Sequence, residues 1–179
     1  EEALKNNINI ETSSAFDINI IEELYAKGLI DKDIYIICNG FKRPQYLENI
    51  TRLINEGFTN VIPVLDHMDE LDYYEEHVKG KFQVGMRIAS EEEPLFSFYT
   101  SRLGIRYNDI VPFYKEHIQK NPNIRLKMLH FFINTGIKDT AYYWNELSKS
   151  LNVYAGLKKI CPDVDALNIG GGFPIKRSL

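Results

Sequence analysis

Only two cysteines, Cys38 and Cys161, occur in the 179 residues. They stand too far apart for a CxxC metal or redox pair, and too few thiols exist for a disulfide scaffold, so a reduced, cytoplasmic setting fits. No apolar run approaches the ~18 residues that a membrane span needs. Positive charge is not in surplus either. There are 21 Lys+Arg against 25 Asp+Glu, a net charge of −4, which argues against a dedicated nucleic-acid binder. The four histidines, His67, His77, His117 and His130, have neither HxxxH nor HxH spacing, and no metal site is expected. No signal peptide is legible, because Glu1-Glu2 opens what reads as the middle of a helix.

What is present is an ordinary globular mixture, 44% hydrophobic and 26% charged, long enough to bury one substantial core. Short β-branched runs alternate with amphipathic stretches of 3.6-residue period. The runs predict strands at residues 8–11, 34–38, 61–65, 82–88, 125–132 and 166–169. The stretches between them predict helices near 16–27, 44–56, 68–78, 108–119 and 139–160. Ser14 and Asp17 have the spacing of a capping box, and Pro44 suits a first helical turn. Trp144, Leu147, Leu151, Tyr154 and Leu157 form the expected stripe of the last helix. The strands are apolar on both faces, as a helix-covered parallel sheet requires, so a (β/α)8 barrel or a doubly wound sheet is implied. Both ends look cut. The first residues resemble a helix tail and the last strand has no helix after it, so an internal segment of a larger protein is expected.

Several strand ends carry polar or glycine-rich signals. Gly170-Gly171-Gly172 follows a buried strand, and such a turn exposes backbone N–H groups that can hold a phosphate. A flexible turn is the plain alternative. It is neither a P-loop nor a GxGxxG fingerprint. Phe132 and Thr135 end the strand Met128-Leu129-His130-Phe131-Phe132; an aromatic there can stack on a planar ligand and a hydroxyl can bond an anion. Core packing is the commoner reading of such aromatics. Glu11 ends the first strand. Arg87, near the end of an apolar strand, needs an anionic partner if buried, and a structural salt bridge would supply one. Asn39-Gly40 suggests a turn at the sheet edge.

In this order, the segments 10–17, 37–42, Leu65-Asp66 with Glu70-Leu71, Met86-Arg87-Ile88, Ser101-Arg102-Leu103-Gly104, 129–136 and 167–173 resemble the barrel domain of the pyridoxal-phosphate decarboxylases of arginine, ornithine and diaminopimelate. The resemblance covers essentially the whole chain. It is strongest to a bacterial arginine decarboxylase, through SSAFDINIIEELYAKGLI, YIICNGFKRPQYLENI and MLHFFINTGIKDTAYYWNEL.

The resemblance implies an α/β fold, a partial (β/α)8 TIM barrel of the alanine-racemase-like type with about six of eight strands. It implies one incomplete pyridoxal-phosphate-binding domain over 1–179. Gly170, Gly171, Gly172 and Thr135 would hold the cofactor phosphate. Phe132 falls where the family has a ring-stacking histidine; stacking can survive in Phe, but proton transfer cannot. Glu11 and Asp17 match two acids near the cofactor lysine, and Arg87 matches the arginine of an LRI strand. Asn168 replaces an aspartate common before the glycines.

No catalytic residue is assigned within the chain. The Schiff-base lysine is expected before Glu1, and the acid paired with the pyridine nitrogen and a C-terminal β-domain after Leu179. Lys42 and Lys127 stand in the wrong units. The implied activity is decarboxylation of a basic amino acid, foremost arginine to agmatine in polyamine biosynthesis. Alternatives are ornithine, lysine or diaminopimelate decarboxylation, racemisation, a non-catalytic pyridoxal-phosphate-binding homologue, or a phosphate-binding barrel enzyme without this cofactor, such as an isomerase. The implied partners are a small amino-acid substrate and further copies of the chain, as a homodimer or higher homo-oligomer.

Overall fold

Six short strands lie side by side in the order in which the chain makes them, all parallel. The computed structural model describes residues 3–6, 8–90, 103–133, 140–171 and 173. The strands are β1 (Ile10–Thr12), β2 (Ile36–Cys38), β3 (Val61–Leu65), β4 (Phe82–Ile88), β5 (Ile124–Phe131) and β6 (Ala166–Asn168). The helices between them are α1 (Ala15–Ala26), α2 (Pro44–Asn55), α3 (Glu70–His77), α4 (Tyr107–Phe113) and α5 (Thr140–Lys158). A sequential parallel order needs a crossover helix at every step, and each β-to-β connection here holds one.

The strand residues alternate between two apolar layers. Ile36, Cys38, Val61, Leu65, Val84, Met86, Leu126, Leu129 and Phe131 join the large core shared with the helices. Ile37, Ile62, Val64 and Met128 form a second cluster, with Tyr35 and Ala166 against it. The second cluster lies on the face turned away from the helices. That face is concave: Asn168 of the last strand hydrogen-bonds Glu11 of the first at 3.0 Å. The sheet is therefore a curled part-barrel of six strands, as the family resemblance implies.

The predicted bounds move slightly. β1 starts two residues later than its apolar run, and Ile8 is exposed. Pro112 interrupts α4, and the chain continues as a single π turn, Tyr114–Ile118. Proline has no N–H to donate, and a widened turn is one way a helix accommodates such a gap.

The α5 stripe is corrected in part: Leu157 is buried and Leu147 and Tyr154 pack against the core as expected, but two positions are not. Trp144 and Leu151 are exposed, whereas Tyr143, Glu146, Ser150 and Leu157 are buried. Within the buried face Glu146 accepts from the Tyr107 hydroxyl and from Lys149 Nζ, each at 2.8 Å. A hydropathy pattern cannot see a paired acid in a core.

Residues 103–106 return beside the end of β4. Ile105 bridges Ile88, and Gly104 N–H donates to Asp66 O at 2.9 Å. Gly104 has φ +104, and a Cβ there would lie 2.7 Å from Ala89 N, so only glycine fits this clip. Among the described residues no helix is long and apolar enough to cross a membrane.

Candidate active site

The alternation that puts Ile37, Val64, Met128 and Ala166 on the concave face also sets the next residue two positions on. Those residues are Asn39 after β2, Asp66 after β3, His130 in β5 and Asn168 in β6. Arg87 follows Gly85 in β4 by the same rule, and Glu11 stands between Ile10 and Thr12 in β1. Arg87 pairs in register with His130, and His130 with Asn168. Each strand thus contributes one polar side chain at or just past its C-terminal end, above an apolar floor. This is the edge at which parallel barrels carry function.

Hydrogen bonds join the ring. Asn39 Nδ2 donates to Glu11 Oε1 at 2.8 Å and lies 3.0 Å from His130 Nε2. Asn168 Nδ2 donates to Glu11 Oε2, and Asn168 Oδ1 accepts from Gly170 N–H at 2.9 Å. Arg87 Nη1 reaches Asp66 Oδ1 at 3.4 Å. His130 is buried, and burial followed by the nearby Arg87 charge pushes its pKa down to about 4. Three buried atoms of the ring, Asn39 Oδ1, Asp66 Oδ2 and His130 Nδ1, have no hydrogen-bond partner among the described residues.

Behind Asp66 sits a second charged group. The Lys42 ammonium is wholly enclosed, 3.0 Å from Glu70 Oε2 and 4.0 Å from Asp66 Oδ2. It also donates to the carbonyls of Gly40 and Val64. Burial raises the Glu70 pKa, with Lys42 opposing. Lys42 is therefore a structural cation that ties the turn after β2 to the end of β3 and the start of α3.

Above the ring lies Phe132. The Arg87 guanidinium carbon is 5.7 Å from its ring centroid, and Ser90 Oγ donates to its carbonyl at 3.2 Å. Gly170 closes on the same side chain: its φ is +70, and a Cβ there would meet Phe132 Cδ2 at 2.8 Å and Phe131 O at 3.0 Å. The glycine turn after β6 and the aromatic after β5 are thus adjacent, as their shared edge implies.

Of the residues singled out in the sequence, Glu11, Arg87, Phe132 and Gly170 come together here, and Gly171 follows in the same turn. Asp17 makes its hydrogen bonds at the start of α1. Its Oδ2 accepts from Ser13 N–H at 2.8 Å and Ser14 N–H at 2.9 Å, capping α1, and these bonds lower its pKa. Thr135 and Gly172 lie outside the described residues. Asn39, Asp66, His130 and Lys42 were not singled out as site residues. The usable signal was a polar residue two positions beyond an inward apolar one at each strand end. Cys38 and Cys161 are free and buried, and no metal-binding cluster of His, Cys, Asp or Glu occurs among the described residues.

A parallel part-barrel with a hydrogen-bonded polar ring and a glycine turn at its C-terminal edge defines a (β/α)-barrel protein with a polar mouth. Residues 8–178 match the pyridoxal-dependent decarboxylases, in their pyridoxal binding domain, and the chain belongs to that family. The family's cofactor is pyridoxal phosphate. Biosynthetic arginine decarboxylase 2 of Synechocystis sp. is 28% identical over 150 residues, covering 78% of this chain and 23% of that protein. A solved biosynthetic arginine decarboxylase from Campylobacter jejuni superposes with a TM-score of 0.67 at 22% identity, over 97% of this chain and 28% of that one. An SrLDC mutant solved in complex with PLP gives a TM-score of 0.72 at 18% identity, over 96% of this chain and 41% of that one. These likenesses to solved structures carry the fold. The chain spans about a quarter of the length of the curated relatives it matches.

Proposed function

We propose that this chain forms part of the pyridoxal-phosphate-binding barrel of a basic amino-acid decarboxylase, with arginine as substrate and agmatine as product. The observation that carries the reading is the mouth itself. A glycine turn, an aromatic ring and a guanidinium converge there, 5.7 Å separating Arg87 from the Phe132 ring. That donor set suits a planar aromatic anion: a cation for its charge, an apolar face for its ring, and a turn where a side chain would collide. The arginine decarboxylases among the relatives favour arginine over the other basic amino acids.

In this reading Gly170, Gly171, Gly172 and Thr135 hold the phosphate, Phe132 covers one ring face, and Glu11 and Arg87 set the charge around it. Asp17 acts more remotely, by fixing α1 below Glu11. When bound, pyridoxal phosphate supplies the electron sink that lets a carboxylate leave an α-carbon. The residues of this chain bind and orient. Among the described residues Lys42 is the lysine at a strand end near the mouth, and its ion pairs with Glu70 and Asp66 keep it from serving as a nucleophile. We therefore place the cofactor-bearing lysine outside the unit described here, in a protein that works as a homodimer or larger assembly.

The test is an assay of the full-length protein with pyridoxal phosphate and, separately, arginine, ornithine, lysine and diaminopimelate. Agmatine from arginine as the dominant product is expected. Putrescine from ornithine, cadaverine from lysine or lysine from diaminopimelate as the dominant product would reassign the substrate. Cofactor uptake without any product would favour a non-catalytic homologue, and failure to take up the cofactor at all would overturn the reading.

A further inference from the structure

We infer that Asn39 is a positioning residue that fixes where the proton of the His130 ring lies: its side-chain amide, oriented by Glu11, holds His130 as the uncharged tautomer protonated on Nδ1. The inference concerns the chain's own groups and stands whatever ligand the mouth takes.

The argument starts from the amide. Glu11 Oε1 lies 2.8 Å from Asn39 Nδ2, and a carboxylate can only accept, so the nitrogen end of the amide faces β1. The same nitrogen lies 3.0 Å from His130 Nε2. An amide nitrogen has two hydrogens and no lone pair to offer, so its second N–H points to Nε2 and Nε2 must be the unprotonated nitrogen. The imidazole keeps one proton, on Nδ1. A second proton would set N–H against N–H at this contact.

The surroundings act both ways on that second proton. Burial opposes it, and so does Arg87, the register partner of His130 on β4. Glu11 on β1, Asp66 on β3 and the Asn168 amide on β6 favour it, and the opposing influences prevail, leaving a pKa of about 4. Geometry and electrostatics agree on a neutral ring near pH 7.

The consequence is a buried donor. His130 Nδ1 has no partner among the described residues, and His130, the next-to-last residue of β5, stands two positions before Phe132. The concave face thus presents an uncharged N–H donor beneath the mouth. His130 does not take over the proton-transfer role that a histidine at position 132 would have.

The test is nitrogen NMR of the ¹⁵N-histidine-labelled protein, with the His130 signals assigned by their loss in His130→Gln. The expected spectrum at pH 7 shows a pyridine-type Nε2 and a pyrrole-type Nδ1. In Asn39→Asp the donor becomes an acceptor, so the proton should move to Nε2 and the titration midpoint should rise by about 1–3 pH units. If Asn39→Asp does not fold, Asn39→Ser serves, with mixing of the two tautomers expected. A protonated Nε2 in the parent protein, or a tautomer and midpoint unchanged in the variant, would overturn the proposal.

Discussion

Asn168 and Glu11 are 157 residues apart in sequence, yet their side chains meet at 3.0 Å and tie the last strand of the sheet to the first. The same asparagine caps Gly170 N–H at 2.9 Å, so one amide both closes the ring and shapes the glycine turn. Replacing Asn168 with aspartate, the residue that the family resemblance sets there, keeps the acceptor for Gly170. It removes the donor for Glu11 and brings two carboxylates together. The contact is solvent-exposed, so Asn168→Asp should lose about 0.5–1 kcal/mol of stability at neutral pH. Glu11→Gln should restore most of it, since the new amide can donate to the new acid. Urea denaturation of both single variants and the double variant measures the coupling; independent, additive losses would contradict the contact.

Lys42 gives the second prediction. Its ammonium is enclosed with Glu70 and Asp66, so Lys42→Met leaves two carboxylates facing each other without their cation. A loss of about 3–5 kcal/mol is expected. Combining it with Glu70→Leu should recover part of that loss, because a buried pair replaced by apolar groups is often neutral, while Asp66 keeps Arg87. Denaturant midpoints of the four proteins decide it. A Lys42→Met loss below ~1 kcal/mol, the usual size for a surface pair, would show that Lys42 is solvated rather than enclosed.

How much of this could be read from the sequence follows the physics of each signal. The strands and helices are legible because apolar periodicity reports burial directly, and β3 and β4 match their predicted bounds. Glu11, Arg87 and the glycine turn are legible as polar interruptions at strand ends. His130 was visible inside its motif but looked like part of an apolar strand, and Asn39 looked like a turn residue. Their roles depend on register between strands 91 residues apart, which no local pattern encodes. Lys42 and Glu146 escaped for a related reason. A buried charge is recognised by its partner, and the partners lie on other elements or on a helix face that hydropathy alone misplaces.

Gly170 carries the third prediction. Its φ of +70 disfavours any L side chain, and a methyl group would overlap Phe132 Cδ2 at 2.8 Å. Gly170→Ala should cost about 1–2 kcal/mol from backbone conformation alone, with the overlap added to it. Phe132→Leu in the same protein should relieve the ring contact but neither the conformational part nor the approach to the Phe131 carbonyl at 3.0 Å, so the rescue should be partial. Full rescue would place the whole cost in the ring contact, and no loss in Gly170→Ala would mean that the turn is not held in this conformation.

The last prediction is the acid dependence of stability. Burial and the nearby Arg87 charge lower the His130 pKa from the ordinary 6.5 to about 4 in the fold. Between these values the unfolded chain binds a proton that the folded chain excludes, so the unfolded state gains as pH falls. The stability associated with a neutral His130 is fully present above pH 6.5 and declines as pH drops toward 4, below which no further loss comes from this group. Its size is on the order of 3 kcal/mol, from the linkage between pKa and free energy. Glu70 works in the opposite sense. Its raised pKa means that the folded state takes up a proton first on acidification, which offsets part of the decline. His130→Gln removes the titrating group while keeping an amide in the ring, so its denaturation free energy should fall less steeply between pH 6.5 and 4 than that of the parent. Equal slopes for the two proteins would show that the imidazole already titrates normally in the fold, and that it is neither buried nor held by Asn39.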